Sequence, residues 1–280
     1  MRELDVKLVA DAIAAACIEI NYTLSPDMAK AVLDAQEKET SPLGREVLSQ
    51  LAENMRVAKE EMIPICQDTG MAVVFLEVGQ EVHFTGGSLR DAINEGVRRG
   101  YTDGFLRKSV VSDPLERVNT GDNTPAIVHT DIVPGEKVTI TVTSKGFGSE
   151  NTSRLFMLKP ADGAEGVKNA VVTAVKEAGA NACPPMVVGV GIGGNFEKCA
   201  VMAKHALTRD AGTHSDNEYY AQMETELLER INALGIGPAG LGGSVTALAV
   251  NIESYPTHIA GLPVAVNICC HVDRHKTVVL

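Results

Sequence analysis

The sequence predicts a mixed α/β (α+β) protein, with helices packed around short sheets and a helical amino-terminal subregion over about residues 1–60. Three observations carry this. Apolar residues recur at helical spacing before residue 60. Runs rich in β-branched residues follow at 72–78, 126–133 and 137–143. Strand and helix signals then mix without the strict alternation of a parallel sheet. No linker, repeat or low-complexity segment interrupts the chain, so residues 1–280 are expected to form one domain.

Leu4, Leu8, Val9, Ala12, Ile13 and Ala16 place an apolar face on a helix over residues 3–21. Ser25-Pro26 and Ser41-Pro42 each pair an N-cap residue with proline at the first helical position. The second opens a helix with Leu43, Val47, Leu48, Leu51 and Met55 inward. These three helices read as support. Pro64 to Gly70 forms a turn that leads into the strand Ala72 to Val78. Thr85-Gly86-Gly87-Ser88 caps a helix reaching about Gly100. Strands follow at Ala126 to Val133 and Lys137 to Thr143, the second with Val138, Ile140 and Val142 in alternation. Further helices are expected over about Gly163 to Ala178 and up to about Leu234, with a late strand at Val264 to Ile268.

A hydrophobic content of 45% supports a substantial core, and with 4% aromatics and no Trp that core must rest on Ala, Val, Ile and Leu. The formal net charge of -11 argues against a general nucleic-acid or anionic-membrane surface. An anionic small molecule would need local cations to overcome that field. The start, Met1-Arg2-Glu3-Leu4-Asp5, lacks the layout of a secretory signal. No uninterrupted apolar run approaches the ~20 residues that span a bilayer. A cytoplasmic location is the expectation. In a reducing compartment, Cys17, Cys66, Cys183, Cys199, Cys269 and Cys270 would be thiols, metal ligands or core residues. No C-x-x-C pair points to a zinc ribbon.

The turn Cys66-Gln67-Asp68-Thr69-Gly70 sets a thiol, an amide and a carboxylate side by side before a strand. Soft and titratable groups at close range suit metal or acid–base chemistry; the plain alternative is a surface turn with one buried cysteine. Arg107 and Lys108 enter an apolar stretch, either solvated or clamping a carboxylate, for which a guanidinium has the better fork. Ser144 to Ser153 is rich in glycine, hydroxyls and an amide, and reads either as an ordinary turn or as a loop that wraps an anion with backbone N–H groups. Gly189, Gly191 and Gly194 make a formal G-x-G-x-x-G after a strand, but no acidic strand end follows at the required distance. A glycine-lined scaffold is preferred over a dinucleotide site. Cys66, Cys183 and one of Cys269 or Cys270 each sit where a strand meets a Pro- or Gly-rich turn. Too far apart for a local finger, they could converge on an iron–sulfur cluster in the folded chain.

Across nearly its whole length the chain resembles the iron–sulfur hydro-lyases of the class I fumarate hydratase and L-tartrate dehydratase family. It is similar to their alpha subunit, the amino-terminal part of the single-chain enzymes. The resemblance rests on Cys66 to Gly70, Arg107 with Ser109-Val110-Val111, Lys145 to Asn151, Gly189 to Asn195, Gly237 to Gly243 and His258 to Cys270. It implies a 4Fe-4S cluster held by Cys66, Cys183 and Cys270, the last chosen over Cys269 by its spacing from His258. It implies dicarboxylate contacts from Gln67, Asp68, Arg107, Gly148, Asn151, Thr152, Ser153 and His258, with Asp68 and His258 as catalytic groups. Phe147 and Glu150 depart from the family pattern, and Cys17 and Cys199 match no cluster position. The expected reaction is reversible hydration of fumarate to malate, with L-tartrate dehydration as the alternative. The expected partner is a beta subunit in an alpha2-beta2 assembly, because family analogy puts further arginines, a lysine and a threonine there. A non-catalytic cluster protein, serving redox or sensing, is the reading of a different class.

Overall fold

The computed structural model describes all 280 residues. The chain folds as two compact units: Met1–Ser25, Met55–Phe147 and Arg274–Leu280 form one, and Pro26–Asn54 and Gly148–Asp273 form the other. Helices and short mixed sheets make up both, as a mixed α/β protein requires.

In the first unit, β1 (Arg2–Asp5) pairs in parallel with β3 (Val82–Thr85). The helix α1 (Val6–Tyr22) starts after β1, with the Asp5 side chain accepting from the Lys7 N–H. Its buried face is Val6, Val9, Ala10, Ile13, Cys17 and Ile20. Leu8 points away and is 51% exposed, a correction to the expected face: it lies about 100° round the helix from Val9. By length and hydropathy Val6–Lys38 would pass for a membrane-crossing helix. In the fold it is two helices, and half of its apolar window is buried.

The main sheet of this unit has the order β10-β5-β2-β4. Its strands are β2 (Met71–Gly79), β4 (Ile127–Val133), β5 (Val138–Lys145) and β10 (His275–Val279). Val74 and Leu76 from β2 meet Ile140 and Val142 from β5. Val9, Ile13 and Ile20 from α1 cover them, together with Ile93, Val97 and Tyr101 from α4 (Leu89–Asp103). Ser88 caps α4, as its position predicts.

The second unit is built on a sheet of order β6-β9-β7-β8. The strands are β6 (Arg154–Leu158), β7 (Met186–Gly193), β8 (Ala247–Tyr255) and β9 (Leu262–Cys269). A single helical turn, α5 (Phe147–Glu150), precedes β6. The helices α6 (Gly163–Ala178), α7 (Phe196–Ala206) and α8 (Glu218–Asn232) complete it. Every residue of β7 is buried. A Cβ at Gly189 would stand 2.1 Å from the Ala203 carbonyl oxygen, and one at Gly191 2.1 Å from that of Cys199. Two members of the formal dinucleotide motif therefore let α7 lie against β7, which is a packing role.

The helices α2 (Pro26–Lys38) and α3 (Pro42–Glu61) start at the expected prolines. Leu48 is fully buried with Ala35 and Val245. Leu43, expected inward, is 50% exposed, so the inner face of α3 is narrower than its apolar pattern. Between the two helices sits Glu39, fully buried. One carboxylate oxygen accepts from the N–H of Ser41 (2.7 Å), the N–H of Ser244 (2.8 Å) and the Ser244 hydroxyl (3.2 Å). The other accepts from the Val245 N–H at 2.8 Å. Burial raises the carboxyl pKa, but these hydrogen bonds outweigh it and hold it below the ordinary value of 4.5.

Glu39→Gln keeps the volume but turns an amide NH2 toward backbone donors. The expected cost is about 2–3 kcal/mol at pH 7, read by urea denaturation. Because the folded pKa is depressed, the carboxylate stabilises above its unfolded value, and that contribution is lost as pH falls through the folded value. The gap between wild type and variant should narrow as pH drops below 4.5.

Candidate active site

The Cys66–Gly70 turn is fixed from behind by groups that periodicity does not mark. Ile65 donates its N–H to the Asn21 carbonyl at 2.9 Å. Asp68 closes the turn on itself, one carboxylate oxygen accepting from the Gly70 N–H at 2.9 Å. The other accepts from the Phe147 N–H at 2.9 Å. Gly70 has φ +72°, and a Cβ there would lie 2.7 Å from the Lys145 carbonyl. Both backbone conformation and space demand glycine.

The same turn is stitched to the Arg107 segment. The Thr69 hydroxyl donates to the Arg107 carbonyl at 3.0 Å. The buried Tyr101 hydroxyl donates to the Thr69 carbonyl at 2.7 Å. Asn123, fully buried at φ +62°, accepts from the N–H groups of Ser109 (2.7 Å) and Val110 (3.2 Å). Its amide donates to the Gly70 carbonyl at 3.2 Å. The outcome is a rigid rear and an open front: Cys66 and Asp68 are half-buried, while Gln67 and Arg107 are exposed.

Cations gather here against the chain's overall sign. Lys145 is 2% exposed and its ammonium donates to the Gly146 carbonyl at 3.2 Å. Arg274 is 3% exposed, with Nε donating to the Ser144 carbonyl at 3.2 Å and Nη2 to the Asp68 carbonyl. With Arg107 they place positive charge around the turn in a chain of net charge -11.

In the second unit the glycine-rich loop is tied to β9. The Ser153 hydroxyl accepts from the Asn267 amide (2.9 Å) and the Ile268 N–H (3.1 Å). The Thr152 hydroxyl donates to the Ser149 carbonyl at 2.7 Å. Both hydroxyls take part in shaping the loop. Gly148 and Asn151 are the exposed pair. Glu150, which departs from the family pattern, has local partners in Lys204 and the Asn267 amide.

Cys183 is exposed, in left-handed backbone (φ 52°, ψ 62°) just before β7. Its carbonyl lies 3.1 Å from the His271 Nδ1. Cys269 pairs with Val187 and is 2% exposed, whereas Cys270, the next residue, is half-buried. Cys183 and Cys270 therefore stand at the same end of the β7–β9 pair. His258 stands at the other. Thr257 donates to the Gly194 carbonyl at 2.8 Å, just past the far end of β7, and His258 is exposed beside it. A strand of this length separates the two ends by about 25 Å. The chain does not bring His258 to the two thiols.

Cys66, Cys183 and Cys270 all reach solvent, and none is in a disulfide. The remaining cysteines are buried; burial pushes the Cys17 thiol up to about 12 and raises that of Cys199. Three accessible thiols are the donor chemistry an iron–sulfur cluster requires, and the buried three are unsuited to it. The structure shows no group of three His, Cys, Asp or Glu side chains gathered to hold a metal ion. It brings together the second unit's two thiols; Cys66 belongs to the first unit.

The first unit presents a half-buried thiol and a carboxylate held in a tight turn, with Arg107 exposed nearby in the chain's fold and Arg274 behind it. The family model described as Fumarate hydratase (Fumerase) matches residues 10–279. A Methanocaldococcus jannaschii protein, provisionally named L(+)-tartrate dehydratase subunit alpha, is 40% identical over 95% of both chains. The L(+)-tartrate dehydratase subunit alpha of Escherichia coli K12 is 33% identical over 93% of this chain and 87% of its own. That of Escherichia coli UTI89 is 34% identical over 92% and 86%. The chain belongs to the fumarate hydratase and L-tartrate dehydratase alpha-subunit family of hydro-lyases.

Asn123→Ala should strip two N–H groups and one carbonyl of their partner and place alanine at positive φ. The expected loss is about 2–4 kcal/mol, measured by chemical denaturation, a large value for one polar side chain.

Proposed function

We propose that the chain is the alpha subunit of an L-tartrate dehydratase, active with a beta subunit in an alpha2-beta2 assembly in the cytoplasm. The observation that carries this is the set of full-length relatives named for L-tartrate. They shift the preference from fumarate, the reading that sequence motifs favoured. Fumarate hydration remains the second reading, supported by the description of the matching family.

Cys66, Cys183 and Cys270 would hold a 4Fe-4S cluster. When bound, such a cluster supplies an iron with an open position, a Lewis acid for the departing hydroxyl. Arg107 clamps one substrate carboxylate through its planar fork. Gln67, Gly148 and Asn151 offer an amide and backbone N–H groups to the remaining oxygens. Asp68 takes the proton from the carbon beside the one that loses its hydroxyl, and that carbon keeps its own hydroxyl; the two Asp68 oxygens are already oriented by Gly70 and Phe147. L-tartrate thereby loses water to an enol, which tautomerises to oxaloacetate. His258, at the far end of its sheet, is left out of this set, and Thr152 and Ser153 serve by holding the loop.

The chain alone is expected to be inactive, and anaerobic addition of purified beta subunit to the reconstituted chain should start turnover. Full activity without it would overturn the subunit reading. In the assembled enzyme kcat/KM for L-tartrate should exceed that for (S)-malate by about tenfold or more; the reverse preference would establish the fumarate reading. Arg107→Ala should cut kcat/KM by about 10- to 100-fold, with little recovery in Arg107→Lys. An unchanged kcat/KM in Arg107→Ala would remove Arg107 from the substrate site, and no turnover by the assembled wild type on any dicarboxylate would favour a non-catalytic cluster protein.

A further inference from the structure

We propose that Arg274 is a positioning residue for the turn that carries Cys66, Gln67 and Asp68. A guanidinium that is 3% exposed is costly to bury, and an apolar side chain would pack there more cheaply. Its contacts show what the charge serves. Nη2 donates to the Asp68 carbonyl, in the middle of the turn. Nε donates to the Ser144 carbonyl, near the end of β5, at 3.2 Å. Nη1 is buried and makes no hydrogen bond. The fork is therefore set by the turn and the strand, and its own donors are not fully satisfied.

The base of the side chain is fixed as well. The Arg274 carbonyl accepts from the Thr143 hydroxyl at 2.9 Å, and the next residue, His275, pairs with Thr143 in the β10–β5 ladder. Arg274 is thus a short strut between a sheet and one carbonyl of an otherwise open loop. The Asp68 carboxylate has its oxygens spent on the N–H groups of Gly70 and Phe147. Holding the Asp68 carbonyl as well fixes the peptide plane that follows it, and with it the direction of the carboxylate. Arg274 touches no reacting atom in this account.

The inference rests on the reading of Asp68 as the group that moves a proton, and its test has an arm that does not. Arg274→Gln and Arg274→Lys are compared with wild type by hydrogen exchange on the full chain. Amides of residues 65–70 and of Phe147 should exchange about tenfold faster or more in Arg274→Gln, with α6 and β7 unchanged. Arg274→Lys, which keeps the charge but reaches one carbonyl, should recover part of the protection. In the assembled enzyme Arg274→Gln should lower kcat by about tenfold or more while KM moves less than about threefold. Unchanged exchange at the turn, or a uniform rise across every strand, overturns the proposal. Should Arg274→Gln not fold, the same two readings on Arg274→Lys decide. Faster exchange confined to the turn, in a protein that proves inactive on every dicarboxylate, would uphold Arg274 and sink the functional reading.

Discussion

A turn that shows a thiol, an amide and a carboxylate to solvent cannot also cover its own backbone, so its hydrogen bonds must be met from behind. This constraint organises the first unit. The carbonyls of Asp68, Thr69 and Gly70 are taken by Arg274, Tyr101 and Asn123, three buried side chains from distant parts of the chain. Each unmet carbonyl would cost about 1–3 kcal/mol. The cost of polar burial inside the unit thus secures the geometry of the groups that stay outside it. Rigid support beneath an exposed site is what lowers the reorganisation a reaction requires.

The same supports solve an electrostatic problem. A chain of net charge -11 repels a dicarboxylate at long range. Beside the turn, however, Lys145 and Arg274 are nearly inaccessible to solvent, where screening is weak. Arg107 alone is presented outward. Buried cations set a steady local field behind the turn, and the exposed guanidinium is the one open to solvent. An acidic chain and a locally positive turn coexist because the two fields operate at different distances.

What the sequence made legible follows from the range of the interactions. Helix caps and apolar faces are local, and Pro26, Pro42 and Ser88 mark the helix starts correctly. The motif turns could be picked out by composition. The strand β10 could not, because its five residues mean little until they pair with β5, more than 130 positions earlier. Asn123 follows Gly121-Asp122, which signals a turn, but nothing local says that its amide clamps another one. His258 and Cys270 sit twelve residues apart, and the family resemblance assigns both to one site. The intervening residues include β9, and an extended strand carries its ends to opposite edges of the sheet. The hydroxyls of Thr152 and Ser153 are visible by residue type, but their hydrogen bonds to the Ser149 carbonyl and the Asn267 amide are not.

The backbone at Cys183 carries one more step. A non-glycine residue in left-handed conformation costs roughly 1–2 kcal/mol, and glycine would remove that cost. The chain uses glycine freely at positive φ, including Gly179 four residues before. Retaining a side chain at position 183 is therefore not explained by folding. Nor is it explained by packing, since Cys183 is exposed while Cys17 and Cys199 fill the core. Cys183 thus combines an exposed position with left-handed backbone at the mouth of β7. Strain tolerated at one exposed thiol, and absent from the buried ones, is the pattern expected of a ligand or a nucleophile.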